Sequence, residues 1–168
     1  MKRQAPLFLS RPSRHRRMPD STQALRVAAL RLLTRRDHSR AELESKLAEQ
    51  AESGEQLASV LERLQDERLL SDQRFASQRI VSRAKRYGNA RLKQELRQQG
   101  VSDEDIVAAL PEAGDEAERC RSVWARKFSR PPQTAEERAK QMRFLQYRGF
   151  SGDAIQQVFR RSNHGAEE

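Results

Sequence analysis

Asp37, His38 and Ser39 stand side by side in "RDHS", and they are the three residue types of a hydrolytic triad. The members of such a triad have to converge from separate elements, which adjacent residues do poorly. Ser39 also opens "SRAE", in which Ser39 and Glu42 have the spacing of a capping box at a helix start. We therefore interpret Ser39 as a helix cap, and we predict no catalytic residue and no enzymatic activity.

The histidines do not form a metal-binding pattern. His15 and His164 lie near the two ends of the chain, and His38 has no second ligand at helical spacing. No Gly-x-x-x-x-Gly-Lys-Ser/Thr run is present to hold a nucleotide. We expect no metal and no cofactor, so that any ATP-linked activity would belong to a partner.

The residues best suited to binding are cations in the middle of the chain, where eight Arg and Lys residues between 74 and 97 stand against Glu95 alone. Like charges three and four residues apart weaken a helix unless an anion compensates them. Charged helix faces are often merely solvated, but this excess favours phosphate binding. The predicted binding residues for nucleic acid or a protein filament are Arg79, Arg83, Lys85, Arg86, Arg91, Lys93 and Arg97.

Tyr87 lies beside these cations in the sequence and could stack on a base. Because Ile80, Ala84 and Tyr87 share one helical stripe, we favour a role for Tyr87 in the core between two helices. Cys120 is likewise interpreted as a buried small hydrophobe, since it lies on an apolar face with Trp124.

The elements that must position these side chains repeat along the chain. Leu47, Leu96 and Leu145 are separated by steps of 49 residues, which is typical of stacked structural repeats. The same step relates Leu57, Ile106 and Ile155, and also Leu61, Leu110 and Phe159. Within each period, apolar residues at three and four spacing predict three helices. The inward residues of the middle unit are predicted to include Phe75, Ile80, Val81, Ala84, Leu92, Leu96, Ile106, Val107 and Leu110.

We therefore predict an all-α protein, an elongated and curved body of three tandem three-helix repeats. The predicted units are a disordered basic arm at 1–21, repeats at 22–70, 71–113 and 114–161, and a disordered tail at 162–168. The basic arm carries six of the cations against Asp20 alone, out of a formal net charge of +9. The basic surface of the folded part is thus predicted in the second repeat.

Composition restricts where such a protein works. Hydrophobic residues are 36% and charged residues 34%, so each core is small and the surface dominates. No apolar run approaches the ~20 residues that cross a bilayer. We expect a cytoplasmic, monomeric protein with no membrane contact and, because it has one cysteine, no internal disulfide.

The chain contains, in this order, the segments "RDHSRAELESKL", "LLSDQRFASQRI", "RYGNARLKQELRQQGVS" and "RFLQYRGFSGDAI". These four segments resemble the signature segments of the RecX family of bacterial regulatory proteins. The resemblance covers about residues 22–160 and implies three tandem three-helix repeats. It also implies a partner, the RecA recombinase filament on single-stranded DNA, whose strand exchange, ATP hydrolysis and co-protease activity the family suppresses. No catalytic residue is implied, and the N-terminal arm departs from the family pattern.

Two other functions stay open at this point. A DNA-binding protein of helix-turn-helix type would read base edges with Arg91, Lys93 or Arg97, although the same residues suit phosphate contacts to single-stranded or duplex DNA. An adaptor solenoid that ignores nucleic acid is the third interpretation. Binding to the recombinase would separate the first from the other two.

Overall fold

The computed structural model describes residues 20–128 and 130–164. Over these ranges the chain forms nine α-helices and no strand, in three consecutive groups of three, which confirms the predicted fold. The predicted arm lies outside the described residues except for residues 20 and 21, and the predicted tail lies outside them except for residues 162–164. The helices are α1 (Asp20–Leu33), α2 (Arg40–Leu47), α3 (Gly54–Asp66), α4 (Asp72–Ala84), α5 (Asn89–Gln98), α6 (Asp103–Ala109), α7 (Glu116–Lys127), α8 (Ala135–Tyr147) and α9 (Gly152–His164).

The outer helices extend slightly beyond the predicted units. α1 begins at Asp20 instead of residue 22, and α9 continues to His164, past the predicted end at 161. A helix, once formed, gains one backbone hydrogen bond for each residue added, so it can continue beyond its last apolar residue.

Each repeat has its own hydrophobic core. One cluster joins α1, α2 and α3, a second joins α4, α5 and α6, and a third joins α7, α8 and α9. Leu47, Leu96 and Leu145 are 1%, 1% and 0% exposed, so the step of 49 residues does mark equivalent core positions. Leu110 is only half-buried, whereas its counterparts Leu61 and Phe159 are fully enclosed.

Two predicted core residues are wrong. Val81 and Val107 are 53% and 64% exposed, although the sequence predicted both to face inward. Each directly follows a buried isoleucine, Ile80 or Ile106. Consecutive residues are 100° apart on a helix, and at these two positions the second residue of the pair falls outside the apolar face.

The side-chain caps predicted at the breaks between helices are formed, although only one half of the predicted Ser39–Glu42 capping box is present. Ser39 Oγ accepts a hydrogen bond from the Glu42 backbone N–H at the start of α2, and Thr134 does the same for Glu137 at the start of α8. The Glu42 carboxylate binds the Arg36 guanidinium. Gly100, predicted to end α5, has φ 75°, which a glycine adopts without strain.

Cys120 is fully buried in the third core, as predicted. Burial raises the pKa of its thiol to about 12, and the nearby Glu116 carboxylate adds to the effect. The thiol therefore stays protonated at neutral pH, in keeping with a packing role.

The second helices of successive repeats meet end to end through equivalent contacts. At the start of α2, Ser39 Oγ donates to the Gln99 carbonyl at the end of α5 over 2.6 Å. Forty-nine residues further on, the Gly88 N–H at the start of α5 donates to the Arg148 carbonyl at the end of α8 over 2.9 Å. Equivalent positions of the repeat therefore form the contacts between neighbouring units as well as the cores within them.

The second joint leaves no room for a side chain on the helix start. A Cβ on Gly88 would lie 2.2 Å from the Gly149 carbonyl oxygen, and a Cβ on Gly149, which has φ 81°, would lie 2.5 Å from Arg91. Because backbone atoms make these contacts, the second and third repeats are held at one close distance.

None of the described helices is both long and apolar enough to span a membrane.

Candidate functional site

A basic concavity lies between the second and third repeats. It measures about 390 Å³, and we call it the inter-repeat groove. One wall is the segment 85–87 that follows α4, and the other consists of residues of α7, α8 and the residue that follows α8. Its lining residues are Lys85, Arg86, Tyr87, Val123, Arg126, Lys127, Phe144 and Arg148.

Arginines of the third repeat hold this groove together by capping the end of α4. Arg126 donates to the Lys85 carbonyl over 2.6 Å, and Arg148 donates to the Arg86 carbonyl over 3.2 Å. Arg119 donates to the carbonyls of Ala84 and Tyr87. The last carbonyls of a helix lack partners within it and carry partial negative charge, so guanidinium groups satisfy both needs there.

These hydrogen bonds leave the positive charges uncompensated. Among the described residues, none of the five cations that line the groove forms an ion pair with a carboxylate. Lys85, Arg86 and Lys127 are exposed. The groove therefore presents full positive charges to solvent, which is the electrostatic footprint of a polyanion site.

Two smaller concavities continue the basic surface on either side. One shares Lys85 and Arg126 with the groove and adds Arg119, and the other shares Lys127 and adds Arg130 and Lys140. Arg130 is paired with Glu137, so it contributes less free charge than the rest. Since the three concavities share side chains, their cations are neighbours along α7, and Glu118 is an acid that lines the concavity with Arg119.

Only some of the seven predicted binding residues line the groove in the structure. Lys85 and Arg86 line the groove. Arg83 and Arg91 instead both bind the Glu95 carboxylate, at 2.7 and 3.2 Å. Burial alone would raise the pKa of Glu95, but the hydrogen bonds from the two guanidinium groups outweigh it, and the net shift is downward.

The remaining three lie outside the groove. Arg97 pairs with Asp103 at 2.7 Å in an exposed ion pair. Arg79 and Lys93 are half-buried and form no ion pair with a described carboxylate. A binding role for all seven stays a prediction, and the unpaired charges of Lys85 and Arg86 make these two the best supported.

Tyr87 is half-buried against the core of the second repeat, as the helical stripe predicted. The Arg83 guanidinium lies 4.5 Å from its ring centre, and those of Arg91 and Arg148 lie 5.9 and 6.0 Å away. Cation–π contacts therefore occupy the ring. Tyr87 therefore packs against Arg83, Arg91 and the groove residue Arg148, and it does not offer a free face to a base.

Sequence reasoning missed the cations that the third repeat contributes, Arg126, Lys127 and Arg148. Arg126 and Lys127 are adjacent at the end of α7, which is a signal for a basic helix terminus. The joint between Gly88 and Arg148 brings that terminus to Lys85, and nothing in the local sequence indicates this pairing.

Asp37, His38 and Ser39 bind different partners. The Asp37 carboxylate accepts from Arg74, a His38 ring nitrogen lies 3.0 Å from the Arg36 carbonyl oxygen, and Ser39 donates to Gln99 in the next repeat. Ser39 is thus a cap and a joint residue. In the part of the chain that the structure describes, no three His, Cys, Asp or Glu residues cluster as metal ligands would.

Comparison with known proteins agrees with the arrangement of the helices in three repeats. Three family models match in chain order, the first, second and third three-helix domains of RecX, at residues 26–64, 71–110 and 114–159. A crystal structure of RecX from Lactobacillus salivarius superposes with a TM-score of 0.77 at 22% identity, over 87% of this chain and 99% of that one. At that identity the likeness concerns the fold alone.

Other relatives have a higher sequence identity to this chain. The regulatory protein RecX of Herbaspirillum seropedicae is 46% identical over 84% of this chain and 93% of the relative. The regulatory protein RecX of Pseudomonas fluorescens is 44% identical over 83% of this chain and 92% of the relative. With all three domain models matched and such relatives covered nearly end to end, the chain belongs to the RecX family of regulatory proteins.

Proposed function

We propose that this protein binds the RecA recombinase filament on single-stranded DNA and mainly inhibits its strand exchange, ATP hydrolysis and co-protease activity. Family membership supports the regulatory role. The observation that carries the proposal is the inter-repeat groove, in which five cations without described carboxylate partners line one track between two repeats that backbone hydrogen bonds connect. Such a track complements the phosphates of a filament that contains nucleic acid.

No chemistry of its own is needed for this regulation. A protein that binds one filament state more tightly than another shifts the filament population toward the favoured state. Favouring a state that cannot exchange strands or turn over ATP is sufficient for inhibition, and the size of the effect is limited by the difference in affinity.

The ion pairs of the second repeat argue against the helix-turn-helix alternative. Two of the three residues that would read base edges in that model, Arg91 and Arg97, have their guanidinium groups paired with Glu95 and Asp103. Breaking these pairs would cost part of the energy gained from a base contact. The groove cations, in contrast, are already free for phosphates, which carry no sequence information.

Filament co-sedimentation tests the proposal. We expect the full chain to sediment with recombinase assembled on single-stranded DNA, and to bind it at least about tenfold more tightly than bare duplex DNA of equal length, since two partners then contribute contacts. Equal affinity for bare duplex would support the helix-turn-helix alternative instead. Binding to the recombinase without any nucleic-acid dependence would support the adaptor solenoid.

A further inference from the structure

Tyr147, the last residue of α8, is exposed to an unusual degree. Its side chain is 84% exposed, more than any other large hydrophobic residue that the structure describes. It is also the one exposed aromatic among the described residues, since the other rings are half-buried or buried. Tyr147 therefore adds almost nothing to the third core.

Tyr147 is not a lining residue of the inter-repeat groove, but it lies near two residues of α8 and its end that are. Phe144 and Arg148, three residues before it and one after it, both line the groove. At 100° per residue, Tyr147 lies about 60° around the helix axis from Phe144. Lys140 and Arg143 lie on the same side of α8 as Tyr147, are exposed, and form no ion pair with a described carboxylate.

The aromatic rings inside the groove already make cation–π contacts. The Arg148 guanidinium lies 4.6 Å from the centre of Phe144, and Arg83 lies 4.5 Å from that of Tyr87. No described cation lies over the ring of Tyr147. Of the aromatic side chains at this groove, Tyr147 is the one whose faces are open to a planar ligand.

We infer that Tyr147 is a stacking platform for an unpaired nucleobase, beside a groove that binds the phosphates of the same strand. Bases of single-stranded nucleic acid can turn outward and stack on an aromatic ring, whereas in a duplex they are already stacked on each other. Tyr147 thus gives the site a preference for single strands that the cations alone, which contact phosphates of either form, do not supply. This inference rests on the proposed phosphate binding of the groove.

Loss of the ring should weaken binding to single strands that carry bases. Base stacking on aromatic side chains is sequence-tolerant, and its removal should reduce affinity by about 5- to 150-fold for one base. Tyr147→Phe keeps the ring and should bind as the parent does. Tyr147→Ala should leave helix content unchanged because the residue is exposed.

The test measures binding of the full chain to two probes of equal length and charge, a single-stranded thymidine homopolymer and an abasic single strand. We expect Tyr147→Ala to lose affinity for the homopolymer while its affinity for the abasic strand stays at the parent value. Val107→Ala, which alters another exposed apolar residue far along the chain, is the matched control and should change neither.

The two possible failures are distinguishable. If Tyr147→Ala binds the homopolymer as the parent does, while both bind the abasic strand, the stacking role is wrong and phosphate binding stands. If the parent binds neither strand, the phosphate role of the groove is wrong, and the inference falls with it.

Discussion

Replacement of Lys85, Arg86 and Lys127 together by alanine should reduce affinity for single-stranded DNA about 100-fold at 0.1 M salt. These three side chains are exposed, line the inter-repeat groove and form no ion pair with a described carboxylate. Each phosphate contact to a single strand contributes about 0.7 to the log-log salt slope, so three lost contacts flatten it by about 2. The affinity change follows from that slope between 1 M and 0.1 M salt.

Arg126 and Arg148 are left unchanged in this variant because they also cap α4. The control replaces Arg31, Arg35 and Arg63 of the first repeat, which are likewise exposed and unpaired with described carboxylates, and so removes the same charge elsewhere. Binding is measured by titration at several salt concentrations. An equal loss of slope in both variants would mean that net charge, and not the groove, governs binding.

Leu96→Ala should lower the free energy of unfolding of the second repeat by about 2 to 5 kcal/mol. Leu96 is 1% exposed in α5 and packs in a small core. Truncation leaves a cavity that the three short helices can fill only in part. Urea unfolding followed by helix content measures the effect.

Val107→Ala is the control for this substitution because it removes methyl groups at 64% exposure in the same repeat. Its expected effect is within about 0.5 kcal/mol. If Leu96→Ala unfolds like the parent protein, or if Val107→Ala costs as much as Leu96→Ala, equivalent positions in the repeat do not have equivalent roles.

The sequence predicted the repeat well because core positions and caps are local signals. A leucine that recurs every 49 residues, and a serine or threonine three residues before a backbone N–H that needs an acceptor, can be recognised without knowledge of the neighbouring repeat. Val81 and Val107 show the limit of this reasoning. Periodicity identifies an apolar face but not its width, and the width depends on how closely the partner helices approach.

The candidate site was predicted less completely because it is built across a joint. Charge counted along one repeat identified Lys85 and Arg86, but the opposite wall comes from residues about 40 to 60 positions further on. Counting also treated Glu95 as one acid among many cations. Its Oε1 accepts from both Arg83 and Arg91 and its Oε2 accepts from Arg83, so a single carboxylate binds two of the predicted binding residues and neutralises one of their two charges.

We propose that this RecX protein binds the recombinase filament through the basic groove between its second and third repeats. The most direct test is the rate of ATP hydrolysis by the cognate recombinase on single-stranded DNA while this protein is titrated in. We predict that the parent protein and the first-repeat control suppress hydrolysis, and that the variant lacking Lys85, Arg86 and Lys127 requires a much higher concentration to do so. A rate that the parent protein leaves unchanged at saturation, or that the groove variant suppresses as effectively as the parent, would contradict the account.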